Sequence, residues 1–284
     1  MNIAISGATG FIGSRLCRYL TDKGHNITPL GRELFAHASP RHLREIIERV
    51  DVVINLAGAP INQRWTRKHK EAMLESRVIT TRKIVQAINH CQGSRTLISA
   101  SAVGYYPSVG CYDEASKVEN YTFLSYICRL WEAEARKLKC DSRLVITRFG
   151  VVLSHTAGVL PQIVATKSIG FIPRIGAAER PITWVDREDL IRAIEFIAKT
   201  KEVEGVVNIV APHFTLQRDL LKAAKKRYNT RVVIPISPLL IRIIYGHCSE
   251  VITQGQCVTS RILHAAGFRY NSESIFDFFE RQGL

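Results

Sequence analysis

The sequence predicts an α/β fold built on a doubly wound parallel sheet, with a smaller carboxyl-terminal substrate lobe. Three observations predict it. Strand-like and helix-like segments alternate along the chain, which is the pattern of right-handed β-α-β crossovers. The run 51–58 is mostly apolar and ends in small residues, as expected for a strand buried on both faces of a parallel sheet. Finally, a glycine-rich turn joins the first strand to the first helix.

The glycine-rich turn is GATGFIG at 7–13, between an apolar strand at 2–6 and an amphipathic helix at 14–23. Gly7 permits a tight exit from the strand, Gly10 lets backbone amides approach a pyrophosphate, and Gly13 lets the helix pack closely on the sheet. The helix then begins with free amides and a partial positive charge. The turn therefore predicts a Rossmann-type dinucleotide-binding domain, the alternative being an ordinary glycine-rich turn.

The second strand, 26–30, ends in Gly31 and Arg32. A fold that binds NAD usually has an acidic residue here for the ribose hydroxyls, whereas an arginine suits a 2'-phosphate. Arg32 therefore predicts NADP as the cofactor. The adjacent Glu33 leaves NAD, with Arg32 as an ordinary surface residue, as the alternative.

The remaining segments divide the chain into a nucleotide-binding domain, 1–150, and a substrate lobe with the carboxyl-terminal tail, 151–284. A strand near 206–210 returns to the first sheet. The other predicted helices are 40–49, 65–90, 121–139 and 188–200, and the other predicted strands are 95–101 and 144–148. In the tail we expect an apolar stretch at 232–235 and helices near 239–245, 260–268 and 274–282.

Composition is that of a globular protein, with 46% apolar and 23% charged residues in 284. The net charge of +14 raises a nucleic-acid hypothesis, but its densest basic groups, 64–70 and 222–227, lie in helix-like segments typical of solvated faces. We therefore expect no nucleic-acid partner. The chain contains no run long enough to span a membrane, and the strand at its start leaves no room for a targeting peptide. Seven cysteines without a CxxC pair predict reduced thiols and a cytoplasmic protein. We expect a monomer or a homodimer.

Five stretches together resemble the extended short-chain dehydrogenase/reductase superfamily. They are GATGFIG at 7–13, NLAGAPI at 55–61, SASAVGYY at 99–106, RFGVVL at 148–153 and TWVDREDL at 183–190. More narrowly, the chain is similar to the atypical branch of NAD-dependent epimerase/dehydratase-like proteins called epimerase family proteins. That branch has a short carboxyl-terminal domain of unassigned function, which the tail resembles at Gly246, Gly255, Gln256 and 266–268.

The resemblance implies a set of cofactor-binding residues, and it implies no metal. Gly7, Thr9, Gly10, Phe11 and Ile12 would hold the pyrophosphate, and Gly31 and Arg32 the adenosine phosphate. Leu56, Ala57 and Gly58 would line the ribose and nicotinamide side, with Ser99, Arg77 and Val152 completing the set. Taken singly, the apolar members also fit a core role, and Arg77 also fits a solvated helix face.

The catalytic residues depart from the superfamily pattern. Active members use a tyrosine acid/base, a lysine four residues later that lowers its pKa, and a serine that binds the substrate oxygen. Ser101 falls at the serine position, but the alignment of Trp131 and Glu132 places Leu124 and Cys128 at the other two. Leucine carries no acidic proton, and a thiol provides no permanent positive charge. The substitute proton donors left open are four tyrosines: Tyr105, Tyr106, Tyr121 and Tyr126.

Two function classes follow. The first is an NADP-dependent oxidoreductase with an unidentified small-molecule substrate, since hydride transfer is the cofactor's chemistry and needs orientation from the protein. Sugar-nucleotide epimerisation depends on the tyrosine and lysine in both directions and is less favoured. The second class is a catalytically impaired NADP-binding sensor or partner-docking protein, favoured by Leu124 and Cys128.

Overall fold

A computed structural model describes residues 1–36, 39–139, 141–237 and 255–281. The strands are β1 (Asn2–Ser6), β2 (Asn26–Leu30), β3 (Val52–Asn55), β4 (Thr96–Ala102), β5 (Cys111–Tyr112), β6 (Arg143–Phe149), β7 (Val151–Leu153), β8 (Phe171–Ile175), β9 (Trp184–Asp186), β10 (Gly205–Ile209), β11 (Val232–Ile236) and β12 (Cys257–Val258). The helices are α1 (Gly13–Asp22), α2 (Arg32–Ala36), α3 (Pro40–Ile47), α4 (Arg67–Asn89), α5 (Phe123–Ala135), α6 (Leu160–Ile163), α7 (Arg187–Lys199), α8 (Gln217–Tyr228), α9 (Arg261–Ala265) and α10 (Ile275–Arg281).

The central sheet has six parallel strands in the order β10-β6-β4-β3-β1-β2. The order runs outward from β1 in both directions, so the topology reverses between the neighbouring strands β1 and β3, where open α/β sheets bind their ligands. The predicted α/β class and parallel sheet are confirmed. The returning strand expected near 206–210 is β10, which pairs with β6.

One face of this sheet packs on α1 and α7, and the other on α3, α4 and α5. The first face is apolar, with Ile3, Ile5 and Ile54 in the same cluster as Leu190 and Ile194 of α7. The second face is apolar near the amino ends of the strands. Towards their carboxyl ends it carries buried polar side chains, namely Ser6, Asn55, Ser99, Ser101, Arg148 and Asn208. Buried polar groups therefore lie near the carboxyl edge of the sheet, where a ligand is expected.

The second lobe contains the parallel pair β8 and β11, together with α6, α8 and α10. Its core includes Leu160, Trp184, Leu221 and Phe278. The pair β7 and β9 connects the lobe to the first sheet, because Val185 belongs to the sheet core whereas Trp184 belongs to the lobe core. The helix expected near 239–245 lies outside the described residues, as do Gly246 and the last residue of 274–282.

The cysteine prediction is wrong for one pair. Cys111 and Cys257 form a disulfide, with their Cα atoms 4.5 Å apart, in the ladder between β5 and β12. Cys17, Cys91 and Cys128 are free thiols, and Cys140 and Cys248 lie outside the described residues. The pairing spans 146 residues, so spacing along the chain gave no signal for it.

No helix within 1–36, 39–139, 141–237 and 255–281 combines the length and apolarity that a bilayer span requires. In the same residues no group of three or more histidine, cysteine, aspartate or glutamate side chains is arranged to hold a metal ion.

Candidate functional site

The glycine turn after β1 is closed by contacts between backbone atoms. Gly7 has a φ of +71°, and a Cβ added there would lie 2.8 Å from the Leu56 carbonyl oxygen. A Cβ at Gly13 would overlap the Gly7 carbonyl oxygen, and one at Gly10 would lie 3.2 Å from it. The Gly10 amide donates to that same oxygen at 3.0 Å. The three glycines thus let the turn fold tightly between β1, β3 and α1, as their spacing predicts.

The amino end of α1 faces out of this turn without a protein cap. Its N-cap residue, Ile12, makes no side-chain capping hydrogen bond, and its first turn contains no acidic residue. Thr9 and Gly10 are exposed, and Phe11 and Ile12 are half-buried. Because the end of a helix carries a partial positive charge and unpaired amides, this cradle fits an anionic pyrophosphate.

Gly31 and Arg32 lie at the carboxyl end of the neighbouring strand, β2, and both are exposed. Arg32 is the first residue of α2, a short helix that the sequence did not predict. A Cβ at Gly31 would overlap the Glu33 carboxylate, so the Glu33 side chain folds back over Gly31. The structure therefore places an exposed guanidinium group beside the turn, with an acidic group next to it.

The end of β3 is fixed by hydrogen bonds that start at Asn55. The Asn55 amide group accepts from Ser6 at 2.6 Å and donates to Thr81 of α4 at 2.7 Å. Leu56 and Ala57 are half-buried and Gly58 is exposed. Leu56 packs against the sheet core, and its carbonyl oxygen is the group closest to Gly7. This segment and the glycine turn therefore form adjoining walls.

Arg77 of α4 closes the same wall from the other side. Its guanidinium group donates to the Ala59 carbonyl oxygen at 3.0 Å and to that of Met73 at 3.2 Å. A Cβ at Gly58 would lie 2.8 Å from Cζ of Arg77. Burial lowers the pKa of Arg77, and its charge interacts with the Cys128 thiol. Arg77 is thus a half-buried cation held in place beside the end of β3.

Phe11 and Val152 bring the β7 segment against the glycine turn. A Cβ at Gly158 would lie 3.0 Å from the Phe11 ring and 3.5 Å from the Val152 carbonyl oxygen. The Arg187 guanidinium lies 5.3 Å from the centre of the Phe11 ring. Gly158 therefore lies between the Phe11 ring of the turn and the Val152 carbonyl oxygen of β7.

Ser101, on β4, belongs to a buried ionic network. Its hydroxyl donates to Glu132 of α5 at 2.7 Å, and the Glu132 carboxylate accepts from Arg148 through both oxygens at 2.8 Å. Each of the three residues is at most 3% exposed. Although burial alone lowers it, the hydrogen bond and charge of Glu132 raise the pKa of Arg148 above its usual range. The sequence motifs indicated no role for Glu132 or Arg148 at the site.

Ser99 lies two residues earlier on the same face of β4. Its hydroxyl oxygen is buried and has no hydrogen-bond partner among the described residues. Because buried hydroxyl groups are usually paired, Ser99 is a position where a ligand group can add a hydrogen bond.

Leu124 and Cys128 are the residues that the sequence resemblance places at the tyrosine and lysine positions of active short-chain enzymes. Leu124 packs with Trp65, Met73 and Ile127 and touches Gly104. Burial raises the pKa of the Cys128 thiol to about 11, so the thiol is neutral at neutral pH. Its sulfur lies 3.8 Å from the Ala102 carbonyl oxygen. Leu124 therefore carries no acidic proton, and the neutral Cys128 thiol carries no positive charge.

The four tyrosines differ in where they lie. Tyr106 is fully buried and its hydroxyl accepts from Arg148 at 2.8 Å, which is a packing role. Tyr105 stacks on the Arg148 guanidinium, 3.5 Å from the ring centre. Tyr121 and Tyr126 are exposed, at 81% and 48%. Tyr105, which is half-buried, is the tyrosine that lies against the Ser101 network at its outer side.

The family follows from comparison with known proteins. The model of the NAD dependent epimerase/dehydratase family matches residues 3–210. The chain belongs to this family. An epimerase family protein of Staphylococcus epidermidis is 31% identical over 288 residues, covering 95% of each chain. One from Staphylococcus aureus is 30% identical over 291 residues, also covering 95% of each. The resemblance read from the five motifs is confirmed.

Solved structures of other proteins have the same fold. Human epimerase family protein SDR39U1 (isoform 2), crystallised with NADPH, is 26% identical, with a TM-score of 0.91 and full coverage of both chains. The dTDP-4-dehydrorhamnose reductase of Bacillus anthracis, solved with NADP, is 16% identical, with a TM-score of 0.77 over 99% of this chain and 97% of its own. The second likeness concerns the fold alone.

Proposed function

We propose that this epimerase family protein binds NADP(H) in the cradle at 7–13 and transfers a hydride between the nicotinamide and a small-molecule substrate. One observation carries the proposal: the uncapped amino end of α1 adjoins a turn that only glycine permits. Arg32 stands exposed at the end of the next strand. The human relative solved with NADPH, which matches this chain over its whole length, supports the same cofactor.

Different residues bind different parts of the cofactor. Backbone amides at the start of α1 face the pyrophosphate, where the helix dipole favours negative charge. Arg32 binds the 2'-phosphate through charge-assisted hydrogen bonds, and Gly58, held against Arg77, leaves room for the ribose. When bound, the nicotinamide gives or takes the hydride.

The substrate class is a carbonyl compound or an activated alkene. With leucine at 124 and a neutral thiol at 128, the chain lacks the acid/base pair that reversible sugar epimerisation requires. Reduction places a smaller demand on the protein, because one hydrogen-bonding group at the acceptor oxygen suffices for polarisation. We assign this role to Ser101, with Tyr105 as the second candidate.

Titration of the full chain with NADPH and with NADH tests the cofactor assignment. We expect NADPH to bind more tightly, and Arg32→Ala to weaken NADPH about 10- to 100-fold while changing NADH little, since the lost contacts are charge-assisted. The matched control is Arg41→Ala, which removes an equally exposed positive charge paired with Glu45 on α3. Equal affinity for the two cofactors would remove the basis for assigning Arg32 to the phosphate.

A screen of carbonyl and alkene acceptors tests the reaction. Acceptor-dependent oxidation of NADPH is the expected result. Tight NADPH binding without turnover on any acceptor class would instead favour the cofactor sensor or docking protein, for which Leu124 and Cys128 are the argument.

A further inference from the structure

The disulfide between Cys111 and Cys257 joins two segments that lie beside the candidate site. Cys111 is exposed, whereas Cys257 is 7% exposed. The ladder that carries them has only two residue pairs, since Tyr112 pairs with Val258. Such a short two-stranded ladder is marginal by itself, so the covalent bond is a major constraint on how the segments stay together.

We call residues 103–114 the tyrosine loop and residues 255–260 the strap. The strap holds the loop by a hydrogen bond from the Thr259 amide to the Tyr112 carbonyl oxygen at 2.9 Å. Just beyond the strap, Arg261 pairs with Asp113 at 3.0 Å. The strap is also tied to the region of β9, because Thr183 donates to the Gln256 carbonyl oxygen at 2.6 Å.

The tyrosine loop is in turn connected to Ser101 by an unbroken set of contacts. The Tyr106 hydroxyl lies 3.0 Å from the Asp113 carbonyl oxygen and accepts from Arg148 at 2.8 Å. Arg148 holds Glu132, and Glu132 accepts from Ser101. Tyr105, in the same loop, covers the Arg148 guanidinium. A change in the order of this loop therefore acts directly on the groups around Ser101.

We propose that Cys111 and Cys257 are a reversible thiol–disulfide site whose oxidation state controls the order of the tyrosine loop. The pair differs from the free thiols because Cys111 is an exposed residue, whereas Cys17 and Cys91 are half-buried and Cys128 is buried. The thiol chemistry is independent of the cofactor; the effect on turnover rests on the proposed function.

The exchange is balanced with a small dithiol as reductant. One thiolate of the dithiol attacks the Cys111 sulfur, the bond to Cys257 breaks, and Cys257 leaves with the electron pair as a thiolate. The second thiolate then attacks the mixed disulfide, which releases the Cys111 thiolate and closes the disulfide of the reductant. Two electrons pass from the dithiol to the protein. Oxidation is the reverse, with a small-molecule disulfide as the acceptor.

A redox titration of the full chain tests the site. The protein is equilibrated in mixtures of reduced and oxidised dithiothreitol, quenched with acid, labelled with a maleimide and mapped by peptide mass. We expect Cys111 and Cys257 to pass together and reversibly from unlabelled to labelled as the reduced fraction rises. Labelling of both cysteines at every ratio, or an intact bond in excess dithiothreitol under native conditions, would overturn the proposal.

Hydrogen exchange of the two redox states tests the consequence. Reduction removes a cross-link that closes a long loop, so we expect amides of 103–114 and 255–260 to exchange at least about tenfold faster. Amides of 7–13 and the affinity for NADPH should not change. Cys111→Ser should reproduce the reduced state, and Cys91→Ser, which replaces a free thiol, should behave as wild type. Equal exchange in the two states would refute control of the loop.

Turnover separates failure of this inference from failure of the proposed function. If no acceptor is reduced in either state, the labelling and exchange results still decide the thiol site. If turnover occurs, we expect reduction to lower it and oxidised glutathione to restore it. An identical rate in both states would contradict control of the site.

Discussion

The hydroxyl group of Ser101 donates its hydrogen to the carboxylate of Glu132 at 2.7 Å. The same carboxylate is held at both oxygens by Arg148, which fixes it as the acceptor of the Ser101 hydrogen bond. Ser101 therefore offers lone pairs to a ligand in this arrangement, and it donates to a substrate oxygen only after its hydroxyl rotates. The network positions the serine oxygen at the carboxyl end of β4 and restrains its proton.

Ser101→Ala tests whether this hydroxyl takes part in the reaction. We expect kcat/KM for the acceptor to fall about 10²-fold, the usual effect of losing one polarising group, with the affinity for NADPH changed by less than about twofold. Ser125→Ala is the control, because it removes a buried hydroxyl that donates to a backbone carbonyl of the same region. Unchanged steady-state kinetics would exclude Ser101 from the catalytic step.

Glu132→Gln tests the ion pair as a structural element. The substitution leaves the Arg148 charge buried opposite a neutral amide, so we expect the free energy of unfolding to fall by about 3–5 kcal/mol. Glu48→Gln breaks a pair with Arg44 of similar length, 2.7 Å, but half-exposed, and should cost less than about 1 kcal/mol. Urea unfolding followed by circular dichroism measures both. Equal losses would show that burial does not strengthen the Glu132 pair.

Gly13→Ala tests the closure of the glycine turn. Alanine is the better helix former, but its Cβ would overlap the Gly7 carbonyl oxygen, and backbone atoms cannot move aside cheaply. We expect a large loss of NADPH affinity in a titration, together with a lower unfolding free energy. In contrast, Gly24→Ala meets no atom within 4 Å and is strained only by its φ of +78°, which costs about 1–2 kcal/mol. Its NADPH affinity should be unchanged, and a loss equal to that of Gly13→Ala would contradict the steric argument.

The sequence was sufficient wherever the signal is local. The strand, turn and helix at 2–23 follow from hydrophobic periodicity and glycine placement, and they lie within one residue of the predicted bounds. The apolar strand at 51–58 was also predicted, but β3 ends three residues earlier, at Asn55. The assignment of Ser101, Leu124 and Cys128 came from the resemblance to short-chain enzymes, with the helix aligned on Trp131 and Glu132. The parallel sheet itself was predictable, and its carboxyl edge is where these segments meet, because parallel strands bring them to one edge.

The rest depended on contacts between distant segments. In the sequence, Glu132 served only to align helix α5 with active short-chain enzymes, and Arg148 was only the first residue of the RFGVVL motif. The fold alone shows that Glu132 of α5 and Arg148 of β6 form an ion pair. Helix α2 is five residues long, too short for a periodic signal. The disulfide joins two cysteines in a ladder of only two residue pairs, and no local sequence pattern predicts such a ladder. The sequence alone identifies no residue that replaces the tyrosine and lysine of the acid/base pair.

Burial is the main reason that the pKa of Asp186 is raised to about 6, and the neighbouring Asp189 and Glu188 carboxylates raise it further. The stability of the protein should therefore depend on pH through Asp186. Its side chain caps α7 by accepting from the Glu188 amide at 3.1 Å and also accepts from the Ser272 hydroxyl. A carboxyl group whose pKa is higher in the folded state than its ordinary 3.8 favours the folded state when protonated. Its contribution is therefore complete below about pH 4 and is lost as the pH rises through 6.

Asp186→Asn removes this titration while keeping a good N-cap residue, since asparagine caps helices as well as aspartate does. We expect the unfolding free energy of the variant, relative to wild type, to rise by about 2–3 kcal/mol between pH 4 and pH 7. Urea unfolding at the two pH values measures it. Asp277→Asn is the control, because that half-buried carboxylate also accepts from a backbone amide at the start of a helix, α10, and its loss should bring no such gain. If the unfolding free energies of Asp186→Asn and wild type differ by the same amount at both pH values, the Asp186 carboxyl group has the same pKa in the folded and the unfolded chain. That result would contradict the prediction.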